Sequence, residues 1–247
     1  MYLTIAGAFL LSTFSLQAQE GDSLLIQNGK AAQIAGIALP TAMITYGALS
    51  FGNKAIRELD YSTRNELLEN NLMWYEKLDN YFQYSPAVAA FGMKLGGMKS
   101  AHKMSDMLIL YALSNVLEGG IVHTVKHITL RERSDGSSKK SFPSGHTATA
   151  FAAAEFLHQE YGNKSVWISI GGYGMASLVG VARVFNNKHW VSDVVAGAGI
   201  GILSAKTVYW AYPYLQKTFG RKNKKRQTLV LPGYDNGNLN LTLSCRF

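Results

Sequence analysis

The spacing of apolar residues predicts a chain built almost entirely from helices. Residues 33–52 are apolar and uncharged, whereas residues 53–84 carry many charges, with apolar side chains recurring at helical intervals. Five further blocks with a helical pattern follow, at residues 86–98, 105–125, 146–160, 165–184 and 191–212. The pattern therefore favours an all-α helical bundle.

Several of these blocks are apolar enough to lie in a membrane. Residues 33–52 are long enough to span a bilayer, which needs about 20 residues. Single charges interrupt four of the other blocks, at Lys94, Glu118, Glu155 and Lys206. A charge at mid-bilayer costs about 3 kcal/mol or more. Among the five blocks, only the one at 165–184 has a long uncharged run, at residues 165–182. We therefore expect a bundle that is partly embedded in a membrane or rests on it.

The two ends of the chain differ from its helical centre. Residues 1–18 resemble a secretory signal peptide cleaved after Ala18, with an uncleaved anchor as the alternative. Near the other end, positive charges cluster between Lys217 and Arg226, and an Asp-Asn-Gly turn at 235–237 joins two segments with β-strand alternation. We expect a signal peptide at 1–18, N-terminal helices at 19–84, a helical core at 85–215, and a basic linker with a β-hairpin at 216–247.

Charge and cysteine content argue against several classes of function. The net charge is +8, but the excess lies in the basic tail and not on an aromatic-rich face, so nucleic acid is not an expected partner. The single cysteine, Cys245, excludes an intrachain disulfide. His123 and His127 have a metal-ligand spacing but lack a third ligand nearby, so we interpret them as structural. Glu118 and Glu155 form either a buried polar contact or a substrate contact.

Three groups of polar residues at helix ends carry the candidate chemistry. They are Lys126 and Arg133 after the helix at 105–125, Ser144, Gly145 and His146 at the start of the next helix, and Arg183, His189 and Asp193 between the last two helices. If consecutive helices run antiparallel, all three groups reach the same end of the bundle. We therefore expect them to form one site.

The chemistry of this site suits a phosphoryl group. The lysine and the two arginines supply positive charge, and guanidinium groups match the geometry of phosphoryl oxygens. Free backbone N–H groups at the helix start near Ser144 and Gly145 favour an anion. His189 and Asp193 are one helical turn apart, so the carboxylate can orient the imidazole for attack on phosphorus. His146 can protonate the leaving oxygen and later activate water.

The three groups resemble the signature of the type 2 phosphatidic acid phosphatase and vanadium haloperoxidase superfamily. Six residues separate Lys126 from Arg133, the run from Pro143 to His146 reads Pro-Ser-Gly-His, and gaps of five and three residues separate Arg183, His189 and Asp193. Two positions depart from the signature: Ser134 replaces a proline and Ala182 replaces a serine. Neither departure removes a charge or a nucleophile, so we expect activity to survive.

The resemblance implies a role for each residue. His189 is the nucleophile, Asp193 its partner and His146 the general acid. The phosphate-binding residues are Lys126, Arg133, Ser144, Gly145 and Arg183. The resemblance implies an all-α bundle of the phosphatidic acid phosphatase type and no metal or other cofactor.

The implied function is removal of phosphate from a lipid-borne phosphomonoester or pyrophosphate through a phosphohistidine intermediate. Candidate substrates in the family are undecaprenyl pyrophosphate, phosphatidylglycerol phosphate, phosphatidate and the phosphates of lipid A. A soluble periplasmic acid phosphatase, a vanadium haloperoxidase and a non-catalytic anion-binding envelope protein are the alternatives. We expect membrane association in a bacterial envelope with the site facing the periplasm, although a cleaved signal peptide would favour the opposite orientation.

Overall fold

Eight helices account for most of the described chain. A computed structural model describes residues 29–70, 79–219, 227–235 and 238–246. The helices are α1 (Gly29–Leu49), α2 (Lys54–Glu69), α3 (Asp79–Phe82), α4 (Ser85–Leu95), α5 (Met104–Thr129), α6 (Gly145–Tyr161), α7 (Val166–Phe185) and α8 (Val191–Phe219). Each of the five blocks predicted between residues 86 and 212 corresponds to one helix, α4 to α8, so the predicted all-α bundle is confirmed. The predicted signal peptide at 1–18 lies outside the described residues.

The charged stretch after residue 53 contributes to the interior as well as to the surface. α2 begins after Asn53, whose side-chain oxygen accepts hydrogen bonds from the backbone N–H groups of Ala55 at 2.9 Å and Ile56 at 3.4 Å, an N-cap that typically stabilises a helix by about 1 kcal/mol. Within α2, Asp60 is only 2% exposed. The interpretation of this stretch as helices over a surface is therefore wrong for Asp60, which lies inside the bundle.

Small residues allow α6 to pack closely against its neighbours. The alanines of this helix are fully buried at positions 148, 150, 152, 153 and 154. A Cβ atom added to Gly201 of α8 would lie 2.1 Å from the Ala148 carbonyl oxygen and 2.8 Å from the Ala152 backbone nitrogen. The two backbones thus approach closely where only glycine leaves room.

Three of the described helices are long and apolar enough to cross a membrane: Met104–Thr129, Val166–Phe185 and Val191–Lys217. Residues 165–182 are the one long uncharged run among the five predicted blocks, and two further helices qualify although each contains isolated charges. Within α1, the segment Gly36–Leu49 is also apolar but shorter than these three. This set of helices indicates association with a membrane.

A buried ion pair compensates two of the charges that interrupt the apolar blocks. The Lys206 ammonium lies 2.9 Å from the Glu155 carboxylate, which also accepts hydrogen bonds from the Tyr173 hydroxyl and the Gln159 side chain. Charges inside an apolar bundle are tolerated when they are paired in this way. Glu155 therefore forms a buried polar contact, and Glu118 accepts a 3.4 Å hydrogen bond from Thr149.

The C-terminal residues form two paired strands. β1 (Gln227–Asp235) and β2 (Asn238–Arg246) are antiparallel, with Gln227 opposite Arg246 and Asp235 opposite Asn238. They belong to a second unit of the chain that begins at Thr207. The predicted strand pairing is confirmed, whereas the turn at 236–237 and the basic residues at 220–226 lie outside the described residues.

The close approach of α8 to α6 makes Gly201 sensitive to substitution. Gly201→Ala places a methyl group against the backbone of α6, and we expect a loss of about 1–3 kcal/mol in the free energy of unfolding. Thermal unfolding in detergent, followed by tryptophan fluorescence, measures this loss. The matched control is Gly119→Ala in α5, where an added Cβ meets no atom within 4 Å. Equal stability of the two variants would contradict the close packing.

Candidate active site

The first two predicted groups of residues meet where α5 ends and α6 begins. The Lys126 ammonium donates hydrogen bonds to the backbone oxygens of Lys140 at 2.7 Å and Ser141 at 3.4 Å. A Cβ atom added to Gly145 would lie 4.0 Å from Cε of Lys126. The end of α5 and the Pro-Ser-Gly-His run are therefore in direct contact, and the peptide bond between Phe142 and Pro143 within this region is cis.

Asp193 connects the second and third groups. Its Oδ2 accepts hydrogen bonds from the Ser141 hydroxyl and, at 3.1 Å, from the Trp190 backbone N–H, and it lies 3.6 Å from Nδ1 of His189. Its backbone oxygen accepts a 3.0 Å hydrogen bond from the Ser144 N–H. Asp193 lies in the first turn of α8, and its carboxylate accepts the hydrogen bond from the N–H of Trp190 just before the helix begins.

Arg131 completes this network from a position that the sequence motifs do not contain. Its Nη1 donates to Asp193 Oδ1 at 2.7 Å, and its Nη2 donates to Asp60 Oδ2 at 2.8 Å. Asp60 in turn accepts hydrogen bonds from the backbone N–H of Ser192 at 3.0 Å and from its hydroxyl at 2.6 Å. We call Asp60, Arg131, Ser192 and Asp193 the Arg131 cluster. Burial raises the pKa of Asp60, while the hydrogen bonds from Ser192 and the Arg131 charge oppose that rise.

Two of the predicted site residues contact the short helix α3. Arg183 donates from Nη1 to Asp79 Oδ2 at 2.6 Å, and the pair is almost completely buried. Nε2 of His146 lies 2.6 Å from Asn80 Oδ1. Because an amide oxygen only accepts hydrogen bonds, this contact requires a proton on Nε2 of His146. α3 thus engages one cation and one imidazole of the site.

Some hydrogen-bond donors at the site have acceptors within the protein, and others have none among the described residues. The Ser144 hydroxyl lies 2.9 Å from Thr147 Oγ1, and the Ser144 N–H is bound to the Asp193 backbone oxygen. In the described part of the chain, the amides left free at the start of α6 are therefore those of Gly145, His146 and Thr147. Among the described residues, Nε of Arg133 and Nε of Arg183 are buried without a hydrogen-bond partner. Unpaired guanidinium N–H groups inside a protein indicate a place for an anion.

The electrostatics of the two histidines link all three groups. Burial and the charges of Arg183, Arg133 and Lys126 together lower the pKa of His146 to about 4, against an opposing effect of Asp79. Burial also lowers the pKa of His189 to about 4, against an opposing effect of Asp193 and with Lys126 and Arg183 acting in the same direction as burial. The same two cations therefore act on both imidazoles, and both rings are neutral at pH 7.

The two histidines with a metal-ligand spacing contact each other along α5. The rings of His123 and His127 are 4.2 Å apart, and Nδ1 of His127 contacts the His123 backbone oxygen at 2.8 Å. Within the described ranges, no group of three or more His, Cys, Asp or Glu side chains has a metal-binding arrangement. The pair has a local helical contact and no further ligand among these residues.

The residues that sequence reasoning missed are of two kinds. Arg131 and Ser141 lie close to the motif positions but are not part of the motifs. Arg131 is a second basic residue in the gap between Lys126 and Arg133, and Ser141 is a hydroxyl residue two positions before Pro143, so the sequence signal of each is weak. Asp60, Asp79 and Asn80 come from a charged stretch more than 40 residues before the first motif, and nothing in the sequence connects them to it. The loop after Arg133 is held by two contacts: Arg64 Nε donates to the Ser134 backbone oxygen, and Lys188 donates to the Asp135 carboxylate.

Comparison with known proteins identifies the helical core. Residues 107–217 match the model of the PAP2 superfamily. This segment belongs to the PAP2 superfamily. The resemblance predicted from the three motifs is therefore confirmed, and the matched segment begins within α5 and ends within α8.

Two curated proteins and one solved structure are similar to parts of this chain. The lipid A 1-phosphatase of Porphyromonas gingivalis is 45% identical over 138 residues, which are 56% of this chain and 31% of that protein. The bacitracin transport permease protein BcrC of Bacillus licheniformis is 39% identical over 75 residues, 30% of this chain and 35% of that protein. The chain thus spans about a third of the length of these curated relatives. A PAP2-type phosphatidylglycerolphosphate phosphatase from Bacillus subtilis superposes with a TM-score of 0.49 at 20% identity, over 78% of this chain and all of that one.

The low pKa values of the two histidines make stability depend on pH. The unfolded chain takes up protons on both rings below their ordinary pKa of 6.5, whereas the folded chain does so only near 4. The free energy of unfolding therefore falls as pH decreases from about 6.5 to about 4, by about 3 kcal/mol from His189 alone. Denaturant unfolding across this range should lose that part of the dependence in His189→Gln and retain it in the control His127→Gln.

The Arg131 cluster predicts a large stability effect. Arg131→Met leaves two buried carboxylates without their cation, and we expect a loss of about 3–5 kcal/mol in the free energy of unfolding. Removing a second member tests the cause: Arg131→Met combined with Asp60→Asn should recover part of the loss. The control is Arg57→Met, an exposed arginine of α2. A loss below about 1 kcal/mol in Arg131→Met would show that the cluster does not organise the fold.

Proposed function

We propose that this chain is a phosphatase that removes phosphate from a lipid through a phosphohistidine on His189. The observation that carries the proposal is the placement of His189, whose Nδ1 faces Asp193 at 3.6 Å while Lys126 and Arg183 act on the same ring. A neutral imidazole with Nδ1–H directed at a carboxylate presents Nε2 as a nucleophile. Nearby cations stabilise the charge that develops on the transferred group.

The reaction proceeds in two displacements. In the first, the Nε2 lone pair of His189 forms a bond to phosphorus, the bond from phosphorus to the lipid oxygen breaks, and His146 donates its proton to that oxygen. In the second, water attacks phosphorus, His146 accepts a proton from it, and the N–P bond breaks to release inorganic phosphate. The proton that His146 presents to Asn80 Oδ1 at 2.6 Å is the one the leaving oxygen receives, so Asn80 gives way to substrate.

The phosphoryl oxygens are bound by Lys126, Arg133, Arg183 and the amides of Gly145 and His146. The Arg183 guanidinium donates a 2.6 Å hydrogen bond to the Asp79 carboxylate. A phosphoryl oxygen of the substrate can take the place of this carboxylate oxygen at the same guanidinium. A dianionic phosphoryl group also offsets the positive charges that lower the pKa of His146, which favours the protonated ring required of a general acid.

The substrate we propose is a phosphorylated lipid of the lipid A type, with undecaprenyl pyrophosphate and phosphatidate as further substrates to compare. Three helices that are apolar enough to cross a membrane favour a lipid over a soluble ester, and the relative with 45% identity is named for its action on lipid A. We further propose that the chain resides in a bacterial envelope with its site facing the periplasm. The basic residues that follow α8 favour a cytoplasmic location for the C-terminal end of this helix. The candidate active site lies at the opposite end of α8 and would then face the periplasm.

Phosphate release from detergent-dispersed lipids tests the function. We expect turnover of a lipid A-type phosphate in the presence of a chelator, and a loss of at least about 1,000-fold in kcat for His189→Ala because the nucleophile is removed. The matched control is His127→Ala, an exposed histidine of α5 outside the site. Turnover in His189→Ala that equals the wild-type rate would overturn the assignment.

A further inference from the structure

A separate cavity of about 490 Å³ lies beside the candidate active site. It is bounded by the start and outer face of α2, the loop that follows α5, and Trp190. Its lining includes the side chains of Arg57, Tyr61, Arg64, Arg131, Arg133 and Trp190. The volume falls within the range of about 300–1,000 Å³ typical of small-molecule sites and exceeds the space that a single phosphate requires.

Positive charge dominates this cavity. Four arginines line it against one glutamate and one aspartate, and the aspartate, Asp135, is paired with Lys188 at 3.0 Å. Arg131 is paired with the carboxylates of Asp60 and Asp193. No ion pair among the described side chains involves Arg57, Arg64 or Arg133. Three guanidinium groups thus surround one cavity without a carboxylate partner in the described part of the chain.

The cavity and the candidate active site share a wall. Arg133 belongs to both, and its Nε is buried without a hydrogen-bond partner among the described residues. Trp190 follows His189 directly, is fixed by a 2.9 Å hydrogen bond from Nε1 to the Glu132 oxygen, and packs edge-to-face on Tyr61 with ring centroids 5.0 Å apart. Arg133 and Trp190, the residue that follows His189, thus place this cationic, aromatic-walled cavity next to the candidate active site.

We propose that this cavity binds a second phosphoryl group carried by the headgroup of the same substrate. The inference rests on the proposed phosphatase function and specifies its substrate class: headgroups with two phosphoryl groups rather than one. Guanidinium groups bind phosphoryl oxygens in a bidentate manner, and the unpaired arginines supply the charge that such a group requires. Arg57 and Arg64 are then specificity-determining residues that take no part in the chemical step.

Paired substrates test the proposal. Wild-type protein and Arg57→Ala are assayed in neutral detergent with a bisphosphorylated glycolipid and with its monophosphorylated counterpart of identical acyl chains. We expect Arg57→Ala to raise KM for the bisphosphorylated lipid by about 10-fold, with kcat unchanged and the monophosphorylated lipid unaffected. Arg57→Lys should restore part of the affinity. The control is Lys54→Ala, which removes an equal charge from α2 outside the cavity.

Several outcomes overturn the proposal. These are an equal effect of Arg57→Ala on both lipids, no effect on either, or an effect as large for Lys54→Ala. Inhibition by inorganic phosphate identifies the source of the anion: if Arg57→Ala weakens that inhibition but leaves KM for both lipids unchanged, the cavity binds free phosphate and the headgroup assignment is wrong.

Equilibrium binding separates this proposal from the phosphatase function. Binding of both lipids is measured on His189→Ala with and without Arg57→Ala, which requires no turnover. Weaker binding of the bisphosphorylated lipid alone on addition of Arg57→Ala supports the cavity even if no lipid is hydrolysed, and unchanged binding overturns it even if hydrolysis is observed.

Discussion

The carboxylate of Asp193 is the contact on which the rest of the site depends. It accepts hydrogen bonds from Arg131, Ser141 and Trp190 and faces the ring of His189, while its backbone oxygen fixes Ser144. One residue thereby ties the segment after α5, the start of α6 and the start of α8 to one point. Because Asp193 is fully buried, these contacts are not weakened by solvent.

The Arg131 cluster extends this organisation to a part of the chain outside the family match. PAP2 similarity covers residues 107–217, yet Asp60 of α2 supplies the second carboxylate to Arg131, and α3 contacts Arg183 and His146. A buried arginine with two carboxylates is stable only when every charge is partnered. The helices before residue 85 are therefore structural components of the site, and the arginine-lined cavity beside it is built partly from the same α2.

Helix positions and the meeting of the three motifs were predictable from sequence because both depend on local patterns. Apolar periodicity located α4 to α8, and short antiparallel connections require alternate helix ends to meet. The partners of Arg131 and Arg183 were not predictable, since an aspartate in a charged helix has the same local pattern whether it faces solvent or a distant arginine. The Glu155–Lys206 pair shows the same limit: each residue alone argued against a membrane-spanning helix, and their 2.9 Å separation explains why both charges are tolerated.

Locating the phosphoryl group during turnover tests the central claim most directly. Wild-type protein and His146→Ala, in which hydrolysis of the intermediate should be slow, are mixed with phosphorylated lipid, quenched in alkaline denaturant that preserves phosphohistidine, digested and analysed by mass spectrometry. The account predicts a phosphoryl group on His189 alone, at higher occupancy in His146→Ala. Turnover without any label on His189, or with the label on another residue, would contradict it.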